Sequence, residues 1–166
     1  MGIINITPDL CYKHSRFQTE DEGLLQVSKI LNDGATILDI GGQSTRPGST
    51  RLSPTEEAQR VLPVIESVNK NFPDVFISVD TYHASVAMQS VAAGASIVND
   101  LSGGTMDENM FAKVGELHVP YICMHIQGKP ETMQQNPVYE NLTREVLDFF
   151  IHQTEKCRLH NINDII

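Results

Sequence analysis

The fold of this 166-residue chain is decided by the stretch Thr36-Ile37-Leu38-Asp39-Ile40-Gly41-Gly42-Gln43-Ser44-Thr45-Arg46-Pro47-Gly48-Ser49. Its first half is a short apolar run, which is typical of a strand covered on both faces. The two glycines that follow have no side chain, so another group can approach the backbone closely. Ser44, Thr45 and Arg46 then supply two hydroxyls and a guanidinium, which are donors suited to a phosphate. The stretch predicts a buried strand followed by an anion-binding loop, with an ordinary strand-to-helix turn as the alternative.

On both sides of this stretch, predicted strands and helices alternate along the chain. Short apolar runs predict strands at 2–7, 36–40, 76–80, 96–100 and 121–125, and a sixth strand begins at 164–166. Capping residues and helical spacing of apolar residues predict helices over about 19–33, 53–71, 82–93, 107–117 and 141–160. Capping boxes at Thr19 with Glu22 and at Ser53 with Glu56 mark the first two helix starts, and Asp107 is predicted to cap the fourth.

This alternation favours an α/β fold in which helices wrap a parallel sheet. Two folds satisfy the pattern, the open doubly wound sheet and the (β/α)8 barrel. The chain contains neither G-x-G-x-x-G after its first strand nor G-x-x-x-x-G-K-[ST], so both nucleotide-binding fingerprints are missing. The residues alone leave the two folds open.

Composition excludes several classes of protein. The net charge is −9, from 21 acidic and 12 basic residues without a basic stripe, so nucleic acid is not an expected partner. No apolar run approaches the roughly 20 residues that span a membrane. The three cysteines, Cys11, Cys123 and Cys157, are widely spaced and odd in number, which favours reduced thiols in the cytoplasm over a disulfide framework.

Polar residues recur where the predicted strands end. Asn5, Asp80, Asn99 and His125 occupy such positions, as does the loop 44–46. In a parallel barrel the carboxyl ends of the strands carry the active site, so these residues are expected to converge there. Each also has a simpler interpretation, as a turn cap or, for His125, as a hydrogen-bonded core histidine.

The chemistry of these residues suits a heterocycle attached to a phosphate. Asp80 accepts hydrogen bonds from paired N–H groups, and Asn99 offers an acceptor together with donors, so both suit the edge of a nitrogen heterocycle. Asn5 offers an uncharged oxygen to Mg²⁺, whose other ligands would be water and phosphate oxygens. Thr45 and Arg46 would hold the phosphate or pyrophosphate.

Five motifs resemble, in order and spacing, those of the dihydropteroate synthase family of pterin-binding enzymes. They are Met1–Asp9, Asp39–Gly48, Ser78–Thr81, Ile97–Asp100 and Met124–Gly128. The resemblance implies a (β/α)8 barrel that joins 6-hydroxymethyl-7,8-dihydropterin pyrophosphate to p-aminobenzoate with the help of Mg²⁺. It further implies that pyrophosphate is released and that the product, 7,8-dihydropteroate, serves folate synthesis.

The resemblance also implies roles for individual residues. Asn5 matches the asparagine that contacts Mg²⁺ in the family, and Thr45 and Arg46 match the loop that organises pyrophosphate and p-aminobenzoate. Asp80 and Asn99 match positions that bind the pterin. Catalysis is then expected to be electrostatic, through stabilisation of the departing pyrophosphate, without a covalent nucleophile.

Two residues depart from the family pattern, one in the loop after the first motif and one within the second. Lys13 stands where the family carries an aspartate in its first loop, which reverses the charge near a developing cation. Gln43 replaces the usual glutamate, a milder change.

The resemblance covers only part of the family's fold. A (β/α)8 barrel needs roughly 250 residues, and the motifs on the family's last three strands have no counterpart here. Residues 1–166 are therefore expected to form the first five βα units and the start of strand six of a pterin-binding domain. We expect that domain to be incomplete at its C-terminus and to lack an N-terminal segment, the isolated chain to be inactive, and the full-length protein to form a homodimer.

Two other functions fit the same motifs. A pterin-binding methyltransferase domain shares the pterin motifs and handles methyltetrahydrofolate with a corrinoid partner, whereas the Ser44–Gly48 loop favours pyrophosphate and hence the synthase. A non-catalytic pterin-binding protein would be consistent with Lys13 and with the motifs that are missing.

Overall fold

The computed structural model describes residues 1–6, 20–43, 51–129, 132–133 and 136–166. The strands are β1 (Gly2–Asn5), β2 (Ile37–Gly41), β3 (Phe76–Asp80), β4 (Ile97–Asp100) and β5 (Tyr121–Cys123). The helices are α1 (Glu20–Asn32), α2 (Pro54–Asn71), α3 (Ala84–Ala92), α4 (Met110–Leu117) and α5 (Leu142–Leu159). The predicted alternation of strands and helices is confirmed.

The five strands form one sheet in the order β1-β2-β3-β4-β5, and every neighbouring pair is parallel. A doubly wound sheet reverses its strand order at a switch point, whereas consecutive order is that of a (β/α)8 barrel. Ile165 extends the series, because it forms a parallel bridge with Tyr121. The structure therefore has the architecture of the first five βα units of a barrel, with a start of the predicted sixth strand.

The two faces of the sheet differ in chemistry. One face packs against the helices with alternate residues of each strand, and those that belong to the hydrophobic core are buried. They are Ile4, Leu38, Ile40, Ile77, Val79, Val98, Tyr121 and Cys123. The opposite face carries the residues in between and includes most of the polar strand residues; since none of the described helices packs against it, it is here called the helix-free face. Stability is thus concentrated on one side of the sheet.

Helix ends follow the sequence signals in two places. At the start of α2, Ser53 Oγ accepts a hydrogen bond from the Glu56 amide, and the Glu56 carboxylate accepts one from the Ser53 amide, which is the predicted capping box. Gly34 and Gly94 follow α1 and α3 with φ of 99° and 119°, a conformation that glycine adopts without strain. The Thr19 box lies outside the described residues.

The start of α4 differs from the prediction. Asn109, not Asp107, precedes the helix. Asp107 instead accepts hydrogen bonds from the Ala84 amide at the start of α3 (2.8 Å) and from the Asn109 amide (3.0 Å). A capping residue was expected to serve its own helix, but the loop before α4 passes the N-terminus of α3, which lacks a side-chain cap from its own N-cap residue, His83.

Among the described residues, no helix combines the length and apolar character needed to cross a membrane.

Candidate functional site

Four residues at the strand ends lie side by side on the helix-free face. Asn5 of β1 pairs with Gly41 of β2, Gly41 pairs with Asp80 of β3, and Asp80 pairs with Asn99 of β4. We call these four residues the strand-end row. Since paired residues of parallel strands project to the same side, the structure brings three of the predicted site residues together.

Gly41 lets two of these side chains lie close to the backbone. A Cβ atom at this position would lie 3.2 Å from Asp80 Oδ2 and 3.4 Å from Asn5 Oδ1. Both oxygens therefore lie within contact distance of that position. The predicted need for glycine here is explained by this close approach.

A second carboxylate, that of Asp39, contacts the strand-end row from two residues before Gly41 on β2. The Asn99 side-chain amide donates hydrogen bonds to Asp39 Oδ2 at 3.1 Å and to Asp39 Oδ1 at 3.3 Å. Asp39 is on β2, so this contact passes over β3. Strands in a flat sheet are about 4.8 Å apart, which means that the helix-free face is concave enough for side chains two strands apart to meet.

The carboxyl groups of this face hold their protons more tightly than usual. Burial raises the pKa of Asp39. The pKa of Asp80 is raised well above its ordinary value, first by burial and then by the charges of Asp39, Glu57 and Asp100. A ligand that presents N–H donors or a positive charge would relieve this accumulation of negative charge.

The loop after β2 is described only at its two ends. Ser44, Thr45 and Arg46 lie outside the described residues, as does Lys13, so their predicted roles stay predictions. At the base of the loop, Gln43 Oε1 accepts hydrogen bonds from the Leu52 amide at 2.8 Å and from the Tyr82 hydroxyl at 3.4 Å. Gln43 thus joins the two ends of the segment that carries Thr45 and Arg46.

Two polar residues at strand ends do not belong to the row. The His125 ring is half-buried and packs against Phe149 at 4.9 Å and against Tyr139 at 6.0 Å. The Asp100 carboxylate accepts hydrogen bonds from the Ser102 and Gly104 amides and from the Tyr121 hydroxyl. It stabilises the turn after β4.

Two acidic positions were missed by the sequence-based choice of site residues. Asp39 interrupts the apolar run Ile37–Ile40 on the helix-free face, and a single acid within such a run is the signal that identifies it. Glu57 precedes Val61 and Ile65 by one and two helical intervals of four residues, so it occupies the apolar stripe of α2. Its carboxylate is fully buried, 3.8 Å from His83 Nε2.

The described residues can supply only a small part of the ligands that Mg²⁺ needs. No group of three or more His, Cys, Asp or Glu residues that could hold a metal occurs in the part of the chain that the structure describes. Asn5 Oδ1 lies beside Gly41 in the strand-end row and is the type of uncharged oxygen that Mg²⁺ accepts. This arrangement suits an ion held mainly by water and by phosphate oxygens of a ligand.

Comparison with known sequences identifies relatives along the whole chain. The profile of the pterin binding enzyme family matches residues 1–166. The dihydropteroate synthase of Haemophilus influenzae is 43% identical over 157 residues, which are 95% of this chain and 56% of that protein. The chain spans little more than half the length of the bacterial dihydropteroate synthases that it matches.

Solved structures show the same similarity. The chain matches the Yersinia pestis dihydropteroate synthase, solved with a sulfonamide drug complex, at 38% identity and a TM-score of 0.90, covering 98% of this chain and 58% of that one. It matches the Xanthomonas albilineans dihydropteroate synthase, solved with 4-aminobenzoic acid, at 33% identity and a TM-score of 0.84, covering 98% of this chain and 56% of that one. The barrel architecture is shared with both structures.

Proposed function

This chain belongs to the pterin-binding enzyme family, and on that premise we propose that it acts in dihydropteroate synthesis. The reaction joins 6-hydroxymethyl-7,8-dihydropterin pyrophosphate to p-aminobenzoate and releases pyrophosphate. The observation that carries the proposal is the strand-end row together with Asp39, because it gathers two carboxylates and two amides on one concave face. Dihydropteroate synthases among the relatives, one of them solved with 4-aminobenzoic acid, support it.

We assign the pterin to Asp80, Asn99 and Asp39. The heterocycle presents several N–H groups, and the Asp80 carboxylate is an acceptor that lies beside the backbone of Gly41 in the strand-end row. Asn99 is held by Asp39, which fixes the direction in which the Asn99 carbonyl oxygen can accept a further bond. In this pose the exocyclic carbon of the pterin would face the carboxyl ends of the strands, where the loops that follow them begin.

The chemical step then forms one bond and breaks one. The amine of p-aminobenzoate donates its electron pair to the exocyclic carbon, the bond from that carbon to the pyrophosphate oxygen breaks, and the amine releases a proton. Thr45 and Arg46 are proposed to bind the departing anion. Asn5 would hold Mg²⁺, which neutralises charge on pyrophosphate when it is bound.

Replacing Asp80 with Asn in the full-length protein tests this proposal. Loss of a charge-assisted acceptor should weaken binding of the pterin pyrophosphate by about tenfold to a hundredfold, measured by titration calorimetry with Mg²⁺. Asp74→Asn removes the same charge at an exposed position and should bind like the wild type. Equal affinity for both variants would contradict the proposed site.

A second measurement separates the alternatives. Release of pyrophosphate that depends on p-aminobenzoate identifies the synthase. Methyl transfer from methyltetrahydrofolate would identify a methyltransferase domain instead, and pterin binding without any turnover of the full-length protein would identify a binding protein.

We also propose a cytoplasmic location and a homodimer for the full-length protein. Support for the location comes from Cys123 and Cys157, which are free and buried. Support for the dimer comes from the family resemblance. Fractionation of cells and light scattering of the purified protein test the two proposals.

A further inference from the structure

Asp39 and Asn99 form a hydrogen-bonded pair on the helix-free face. The Asn99 Nδ2 atom lies 3.1 Å from Asp39 Oδ2 and 3.3 Å from Asp39 Oδ1. Two similar distances from one nitrogen are the geometry of a single N–H that is shared between both oxygens. Asp39 is only 6% exposed, so water competes little for these oxygens. The contact therefore holds the Asn99 side chain in a defined position.

The carboxylate determines which way round the Asn99 amide faces. An ionised carboxylate has acceptors but no donor, so the amide directs its nitrogen, and not its carbonyl oxygen, toward Asp39. If the amide were turned over, Oδ1 would face two carboxylate oxygens, and the carboxylate would lose its donor at a cost in free energy. Asp39 thus disfavours one of the two orientations that an asparagine side chain can adopt.

The oriented amide still offers two groups to a ligand. One Nδ2 hydrogen of Asn99 points to Asp39, whereas the other lies on the same side of the amide as Oδ1. These two groups form an edge that donates one hydrogen bond and accepts one, in a fixed order. Asp80 is in register with Asn99 on the neighbouring strand, so a ligand on this edge also meets a carboxylate that accepts from an N–H group.

We propose that Asp39 is a positioning residue that determines specificity, because it fixes the order in which Asn99 reads its ligand. In a pterin, the ring nitrogen N1 is an acceptor and the adjacent 2-amino group is a donor, so the two complement the oriented amide. In a lumazine, which has an oxygen in place of that amino group, N1 carries a hydrogen and the oxygen accepts, so the order is reversed. The site therefore selects a 2-aminopteridine over a 2-oxopteridine. The inference rests on the proposed function for the class of ligand.

Titration with two ligands of the same shape tests the inference on the full-length protein. The probes are 6-hydroxymethylpterin and 6-hydroxymethyllumazine, each titrated by calorimetry at neutral pH. The wild type should bind the pterin about tenfold to a hundredfold more tightly, which is typical of discrimination by one bidentate pair. Asp39→Asn should reduce this ratio to about threefold or less, because the amide that replaces the carboxylate can pair with Asn99 in either orientation.

The ratio of the two affinities separates a role in specificity from a purely structural role. A substitution that only loosens the site weakens both ligands and leaves their ratio unchanged. A wild-type ratio in Asp39→Asn would therefore overturn the inference, as would a wild type that binds both ligands equally. Asp33→Asn is the matched control, because it removes the same charge at an exposed position, and it should keep both affinities.

A measurement without ligand or substitution tests the orientation of the amide itself. In isotopically labelled wild type, NMR should show one hydrogen of the Asn99 side-chain amide exchanging slowly with water. Exchange as fast as that of the exposed Asn32 would overturn the inference. If the wild type binds neither ligand, the proposed function fails and the inference fails with it. If the wild type binds the pterin and Asp39→Asn keeps the ratio, the inference alone fails.

Discussion

Adjacent glycines in the stretch after β2 serve two different partners. Gly41 faces the strand-end row, where a Cβ would contact Asp80 and Asn5. Gly42 faces α2, where a Cβ would lie 3.0 Å from Val61 Cγ1 and 3.2 Å from Glu57 Cγ. The first glycine lets the Asp80 and Asn5 side chains lie close to the backbone, and the second lets a helix pack closely against the end of its strand.

Gly41→Ala should therefore impair binding more than folding. Its methyl group meets polar side-chain atoms that can move, so we expect a stability close to that of the wild type and a pterin pyrophosphate affinity about tenfold weaker. Calorimetric titration and urea denaturation measure the two quantities. Gly42→Ala is the matched comparison, with an expected loss of stability of about 1–3 kcal/mol from overpacking against α2. If one of the two variants showed the larger loss both of affinity and of stability, the division of roles between Gly41 and Gly42 would be wrong.

Individual residues show how far the sequence predicts the site. Asn5, Asp80 and Asn99 were predicted because a polar residue at the end of an apolar strand is visible in the sequence, and the structure brings them together. The position of Glu57 next to His83 was not predictable in this way, since the two residues are 26 positions apart in the sequence. Only packing of α2 against α3 brings these two side chains together.

Helices in this protein are also stabilised by residues that lie outside them. Asp107, from the segment before α4, accepts the hydrogen bond of the Ala84 amide at the start of α3. Its negative charge also lies at the positive end of the α3 dipole. Asp107 therefore connects two consecutive βα units through one side chain.

Asp107→Ala should destabilise the protein by about 1 kcal/mol, which is typical for loss of a residue that caps a helix N-terminus. Urea denaturation followed by circular dichroism measures the change. Glu108→Ala is the control, since Glu108 is the exposed neighbour of Asp107, and it should have little effect. Equal losses for the two variants would indicate that the contact with Ala84 contributes nothing.

Element boundaries were predictable where a local signal sets them. Ser53 and Glu56 mark the start of α2 because the capping box involves residues three apart. The start of α3 was predicted at Tyr82 and lies at Ala84, because Thr81 Oγ1 accepts the His83 amide and the acceptor for Ala84 comes from Asp107. No local pattern reveals an acceptor 23 positions away.

At the scale of the whole molecule, four carboxyl groups share an unusual state. The pKa values of Asp39, Glu57, Asp80 and Asp100 are all raised, in each case chiefly by burial. Each of these groups binds its proton more tightly in the folded state than in the unfolded state. Their contribution to stability is therefore complete at acidic pH and is lost as the pH rises through the raised pKa values.

The free energy of unfolding should consequently decrease as the pH rises from about 4.5 to about 7, the interval over which the pKa of Glu57 is displaced. Glu57 alone accounts for a loss on the order of 3 kcal/mol. His83 opposes this trend below pH 6.5, because its pKa is lowered from that value in the folded state. It is one group, however, whereas four carboxyl groups act in the other direction. Urea denaturation at a series of pH values measures the effect, and a stability that increases across the interval would refute it.

The architecture was predictable only in part from the pattern of strands and helices. Apolar strands alternating with capped helices predict a parallel sheet, but they suit a doubly wound sheet as well as a barrel. The consecutive strand order separates the two folds, and order depends on contacts between strands that are distant in sequence. The resemblance to the dihydropteroate synthase family predicted the barrel, which the periodicity of the chain alone did not.

The alternation of faces along each strand has an evolutionary consequence. Asn5, Asp80 and Asn99 project from a face that none of the described helices covers, whereas their immediate neighbours Ile4, Val79 and Val98 belong to the packed core. Selection for a new ligand can change the first set while selection for folding preserves the second. The residues that determine the ligand and the residues that determine the fold therefore alternate along the same strands. This half of the barrel can change what it binds without losing its fold.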